Sequence, residues 1–264
     1  MDKFINDKVR VTCDNLKALC DETAIEVPEL LYRESGYKKS GEYPTVTADW
    51  KRLKRGERLS GKDLHFWLYA EVETPDAADG EELSLELITG RDGDWDGLNP
   101  QGLLYLDGKI VQGLDINHRR VPLEPNRKYS VMIYFYVGMI SIPVEVIMNI
   151  VKTDRKVLDM YYDLKVPFDA LSCFESKDYI YVKTLKCLEH ACNFLDFRSG
   201  KSEAFYSGIA ASEKYLKEEY YGKEWGNTDA VVNYIGHTHI DVAWLWTLAQ
   251  TREKVQRTFS TVLN

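Results

Sequence analysis

Two histidines and an aspartate stand at alternate positions in Gly236-His237-Thr238-His239-Ile240-Asp241-Val242-Ala243-Trp244-Leu245-Trp246. The apolar run Ala230-Val231-Val232-Asn233-Tyr234-Ile235 ahead of them predicts a buried strand. Strand side chains repeat with period two, so His237, His239 and Asp241 would share one face. At about 3.3 Å per residue, alternate side chains lie roughly 6.6 Å apart, within reach of one ion. Mixed nitrogen and oxygen donors suit zinc, which takes His nitrogen and Asp oxygen at about 2.0–2.2 Å. Two ligands leave a four-coordinate shell half filled. From spacing alone, a satisfied core histidine is a commoner explanation of such a pattern than a metal ligand.

The run His-Thr-His-Ile-Asp-Val-Ala-Trp-Leu-Trp at 237–246 resembles the opening motif of the catalytic domain of glycoside hydrolase family 38, the zinc-dependent retaining α-mannosidases. A looser likeness, Asn99-Pro-Gln-Gly-Leu-Leu-Tyr-Leu-Asp-Gly-Lys-Ile-Val-Gln-Gly-Leu-Asp115, resembles the N-terminal β-sandwich of the bacterial and cytosolic-type branch. By position, the resemblance assigns His239 and Asp241 as the first two zinc ligands. It assigns Trp244 as the aromatic stacked on the sugar, and gives His237 a supporting place beside the ligands. It implies hydrolysis of α-mannoside oligosaccharides with retention, by a carboxylate nucleophile and a carboxyl acid/base. Zinc would act as template and electrostatic stabiliser.

In that family the nucleophile, the acid/base and the last histidine ligand lie far downstream. They are expected beyond Asn264, with no catalytic residue inside the chain. On that expectation the 264 residues alone are inactive and bind zinc weakly. The segment 229–264 is then the least stable part, because a barrel strand without neighbours leaves an unpaired apolar edge. It is expected to be disordered, to pack on the 178–222 helices or to pair between molecules.

The elements that must carry the motif follow from changes of period. Ile5, Val9, Thr12/Cys13, Leu16 and Leu19/Cys20 recur at helical spacing over 3–20. Residues 21–60 read as irregular. Leu64 to Val72, Leu83 to Leu87, and the pair Leu104–Leu106 and Lys109–Val111 around Asp107-Gly108 alternate as strands. Asp107-Gly108 is a two-residue hairpin signal, since both positions take positive φ. The strand series is expected to run to about Asp163. Val182, Leu185, Leu188, Cys192 and Leu195, then Phe205, Ile209 and Leu216, return to helical spacing, with a stop at Tyr220-Tyr221-Gly222. An Asn227-Thr228-Asp229 turn leads to the motif strand. Thr247 to Gln250 offers a capping box for a helix with Val255, Phe259 and Val262/Leu263 inside.

The fold class expected is therefore mixed. It is an antiparallel β-sandwich with an N-terminal helix, then a helical hairpin and the first strand–helix unit of a truncated α/β barrel. In segments, 1–60 is lead-in, 61–165 sandwich, 166–228 helical linker and 229–264 the start of the barrel.

Composition narrows the classes of function. A net charge of −8 over 264 residues excludes a nucleic-acid binder, which needs a basic face. The basic run Lys51 to Arg58 reads as a solvated turn between strands. Val131 to Val151 has the length of a membrane span, but Glu145 and Asn149 interrupt it and alternation on either side of Gly138–Pro143 reads as two strands, not a membrane segment. Five cysteines without a CxxC pair, no Asn-x-Ser/Thr acceptor and a polar start point to a reducing cytoplasm. The reading allows a homo-oligomer of the full-length enzyme. Two rival functions are another metal-dependent barrel hydrolase, such as a polysaccharide deacetylase, and a non-catalytic carbohydrate-binding or structural interaction module. The first predicts Asp-Asp and His-x-x-x-His pairs that the chain lacks. The second would use Trp67 and Trp95 as a sugar platform.

Overall fold

The computed structural model describes residues 2–39, 41–91, 100–223 and 231–263. Trp95, Asn99, the 227–229 turn and Ala230 lie outside the described residues. The chain forms two compact units: Met1–Glu22 with Ala78–Glu82 and Thr153–Tyr234, and Thr23–Ala77 with Leu83–Lys152 and Ile235–Asn264.

The first unit is helical. Helix α1 (Asp2–Cys20) turns Val9, Cys13, Leu16 and Cys20 inward, each at most 1% exposed, as its spacing predicts. Helices α2 (Arg155–Ala170), α3 (Tyr179–Cys192) and α4 (Glu203–Leu216) close one core with it around Met160, Leu164, Leu188 and Phe205. The later helices therefore pack with the N-terminal one in one core. The strand series stops at Asp154, short of the expected Asp163. There the Asp154 carboxylate accepts from Val157 N at 3.2 Å and caps α2. Burial alone would raise that carboxyl, but hydrogen bonds from Tyr206, Val157 N–H and Lys201 hold it below its usual range.

Pro167 lies inside α2 and has no N–H for the carbonyl four residues back. That carbonyl is Asp163 O, and the Tyr221 hydroxyl donates to it at 3.3 Å. All five cysteines are free, with four buried and Cys173 exposed. Burial pushes Cys13 to about 12 and Cys192 to about 11.

The second unit is built on sheets. Strands β1 (Asp21–Glu26), β12 (Ile147–Asp154), β6 (Glu81–Ile88) and β9 (Arg120–Leu123) form one sheet in that order. The other, six-stranded, runs β3 (Lys51–Lys54), β2 (Glu29–Ser35), β5 (His65–Glu73), β10 (Lys128–Tyr136), β7 (Gln101–Leu106), β8 (Lys109–Leu114). A two-stranded pair joins β4 (Arg58–Leu59) and β11 (Val144–Glu145). Alternation sorts the faces: Phe66, Leu68, Val131, Ile133 and Phe135 meet Leu85, Val121 and Ile150 in one apolar core. Strand β10 is antiparallel to β5 and β7, placing Ile133 opposite both Leu68 and Leu104. Asp107 and Gly108 take φ of 52° and 79°, as the hairpin signal requires.

Residues 21–60 hold four strands where sequence pattern suggested none. Their alternation is hidden because β1 to β3 are half-exposed and place charged residues on open faces. The basic run pairs with acids, Arg55 with Glu26 at 3.2 Å and Arg58 with Glu145 at 3.9 Å. Among the described residues, no helix is long and apolar enough to cross a membrane. The apolar stretch 131–151 falls in β10, β11 and β12.

Gly208 on α4 sits where a Cβ would lie 2.3 Å from the Phe194 carbonyl oxygen. Alanine is the better helix former by about 1 kcal/mol, yet overpacking costs about 1–3 kcal/mol. Gly208→Ala is expected to lower unfolding free energy in a urea titration, against the propensity trend.

Candidate functional site

The motif segment adopts no strand. Residues 231–241 carry no regular structure and are almost wholly exposed, with Val231 at 81% and Ile235 at 86%. This corrects the expected buried strand: among the described residues nothing pairs with it, so its apolar side chains meet solvent. The period-two geometry survives in local form. The His237 and His239 rings are near parallel with centroids 6.4 Å apart, and His239 Nε2 lies 2.9 Å from Asp241 Oδ1.

Helix α5 (Leu248–Leu263) follows, and it fixes the end of the segment. Thr247 Oγ1 accepts from Gln250 N at 3.2 Å, one half of the capping box. The Gln250 side chain does not reach back to Thr247. It turns inward, 2.9 Å from His65 Nε2. Thr251 Oγ1 accepts from Ala243 N at 3.1 Å, and Trp246 Nε1 donates to Asp241 O at 3.3 Å.

The buried face of α5 is polar, contrary to the expected Val255, Phe259 and Val262/Leu263. Gln250, Thr251, Glu253 and Arg257 are buried, whereas Phe259 is 54% and Val262 65% exposed. The physical reason lies in the sheet face it meets. Glu253 accepts from Tyr134 OH at 2.6 Å and stands 3.1 Å from His65 Nε2, and Arg257 Nη2 donates to Gln101 Oε1 at 2.7 Å. Gly113 on β8 permits close approach: its N–H donates to Thr261 Oγ1 at 3.0 Å, and a Cβ there would sit 2.9 Å from Arg257 Cβ. The helix thus lies on β8 and β7 of the six-stranded sheet.

Between β8, the β8–β9 turn and the motif lies a cleft of about 270 Å³. Its walls bring His239, Asp241 and Trp246 together with Asp115, His118 and Lys254. Neither His237 nor Trp244 is among the lining residues; Trp244 is 55% exposed and meets Trp246 edge to face at 5.4 Å. Asp115 and His118 escaped sequence reasoning, although Asp115 closes the second motif and His118 follows three residues on. The signal was a second His–Asp pair at short spacing. Trp67, a candidate sugar platform, is fully buried among Trp50, Tyr105 and Tyr134 and is closed to ligand.

The nitrogen and oxygen donors of His239 and Asp241 suit zinc, but they form a partial ligand set. Among the described residues, no three His, Cys, Asp or Glu side chains converge as metal ligands would.

Residues 229–264 match the Glycosyl hydrolases family 38 N-terminal domain. The chain is 23% identical over 247 residues to alpha-mannosidase G of Dictyostelium discoideum, covering 82% of this chain and 21% of that protein. It is 36% identical over 50 residues to alpha-mannosidase 2C1 of Mus musculus, covering 19% of this chain and 5% of that protein. The chain therefore spans about a fifth or less of the length of these relatives. Among solved structures, a beta-glucuronidase of Faecalibacterium prausnitzii overlaps 52% of this chain and 32% of its own, at 8% identity and a TM-score of 0.31, too low to support an argument about fold.

Burial alone would raise the Glu253 carboxyl, but hydrogen bonds from His65 and Tyr134 and the Arg257 charge hold it below the ordinary 4.5. A depressed folded value stabilises above the unfolded one and is lost as pH falls through the folded one. Docking of α5 is therefore expected to be complete above about pH 4.5 and to weaken on further acidification, in hydrogen exchange at 250–261. Glu253→Ala, which strands Arg257, should cost about 3 kcal/mol at neutral pH.

Proposed function

Since residues 229–264 are part of a family 38 N-terminal domain, we propose that this chain is the front of a zinc-dependent retaining α-mannosidase. The observation that carries the reading is the His239–Asp241 pair, 2.9 Å apart, in the matched segment and facing the cleft. In the whole enzyme these two residues would hold zinc together with ligands from elsewhere in the domain. Bound there, zinc would supply a template and positive charge for sugar hydroxyls.

The remaining chemistry of this chain is positioning. The Thr247 cap and the Ala243 N–H to Thr251 bond anchor the motif to α5. The Glu253 cluster anchors α5 to the sheet. Trp244, exposed beside the pair, is proposed to stack on the apolar face of the mannose, and His237 to support His239 through the parallel ring contact. In this reading the sheets act as an N-terminal sandwich, and 229–264 open an α/β barrel. The substrate is an α-mannoside oligosaccharide. A reducing cytoplasm agrees with five free cysteines.

The test uses the chain extended through the rest of its family 38 domain. Hydrolysis of an aryl α-mannoside with retention, monitored by nitrophenol release and product NMR, is expected. His239→Ala should cost at least on the order of a hundredfold in kcat/KM and remove bound metal. Full activity and metal content in that variant would overturn the assignment.

A further inference from the structure

The cleft contains a second His–Asp pair that no part of the family motif accounts for. Asp115 Oδ1 accepts from Asn117 N and His118 N, each at 2.8 Å, and stands 3.0 Å from His118 Nδ1. Nδ1 is the ring nitrogen turned to Asp115, which leaves Nε2 on the other side of the ring. The pair is half-exposed at the cleft wall, with His118 50% and Asp115 32% open in their side chains. His239 and Asp241 line the same cleft. Trp246 and Lys254 line it too, with the ammonium 4.1 Å from the ring centroid.

These groups offer both donors and acceptors: carboxylate, imidazole, ammonium and the hydroxyls of Thr258 and Thr261. Hydroxyl groups, each donor and acceptor at once, match such a lining. Asp115 and Asp241 offset Lys254 and Arg257, so the wall has no excess charge to select a phosphate or a cation. At about 270 Å³ the cleft is near the small end of ligand pockets, roughly 300–1,000 Å³.

Resting on the α-mannoside reading, we propose that Asp115 and His118 form a saccharide subsite contributed by the β8–β9 turn. They hold hydroxyls of a sugar unit beside the one at His239 and Asp241, and so set specificity for the length or linkage of the substrate.

Histidine-labelled chain, titrated with an α-linked mannobiose and with methyl α-mannoside, gives the readout. The His118 and His239 ring resonances should move together with mannobiose. Asp115→Asn should weaken mannobiose binding about tenfold. An unchanged amide spectrum elsewhere checks that the variant folds, and His118→Gln serves as a second variant. In the extended enzyme, Asp115→Asn should lower the ratio of kcat/KM for mannobiose over aryl mannoside. A His118 signal that ignores mannobiose up to the sugar's solubility, or moves only on adding zinc or magnesium, overturns the subsite. Sugar-responsive His118 in an enzyme without mannosidase activity would instead sink the functional reading and leave the subsite standing.

Discussion

A carboxylate removed from water must be met by donors, and the placement of Glu253 depends on that constraint. His65, Tyr134 and Gln250 supply the donors, the Arg257 guanidinium adds its charge at 3.8 Å, and these partners come from both the sheet and α5. Each partner is itself buried or held: His65 is 1% exposed, against the rings of Tyr37, Tyr134 and Tyr136. No apolar contact would fix the helix so narrowly, since hydrophobic packing is non-directional. Directional bonds of this kind specify one register of α5 on β7 and β8, although Gln250 Oε1 and Arg257 Nη1 are buried without a hydrogen-bond partner. That register sets where the motif ends, because Thr247 and Thr251 tie residues 243–247 to the helix.

The same constraint explains why the outer side of α5 is apolar. Leu248, Phe259, Val262 and Leu263 point away from the sheet because the buried face is occupied by polar residues. Read by hydrophobic periodicity alone, the helix seems to face the other way. The amphipathic rule assumes that the apolar stripe seeks the core. Here the sheet face beneath the helix carries His65, Tyr134 and Gln101, and like meets like.

Much of the fold was legible because its residues follow one period. The α1 stripe, the β5, β6 and β10 alternations and the Asp107-Gly108 turn each carry their own local signal. Strands β1 to β3 were not legible, since these half-exposed strands carry charges on both faces. The end of the strand series was misjudged because Asp154, a cap, looks from sequence like another polar strand residue. At the site, His239 and Asp241 were legible from spacing and resemblance, and they do meet. Asp115 and His118 were not, because they join the cleft across more than a hundred residues of chain, a separation no local pattern encodes.

The burial of four cysteines beside one open thiol makes the folded chain chemically countable. Thiolates react and thiols do not, so Cys13, Cys20, Cys187 and Cys192 are doubly protected, by enclosure and by raised pKa. Cys173, between α2 and α3, is exposed at the surface and open to a reagent. An alkylating agent would therefore tag the native protein at one address and the unfolded chain at five. The helical unit, which holds all five, thus carries its own gauge of intactness, read in mass rather than in light.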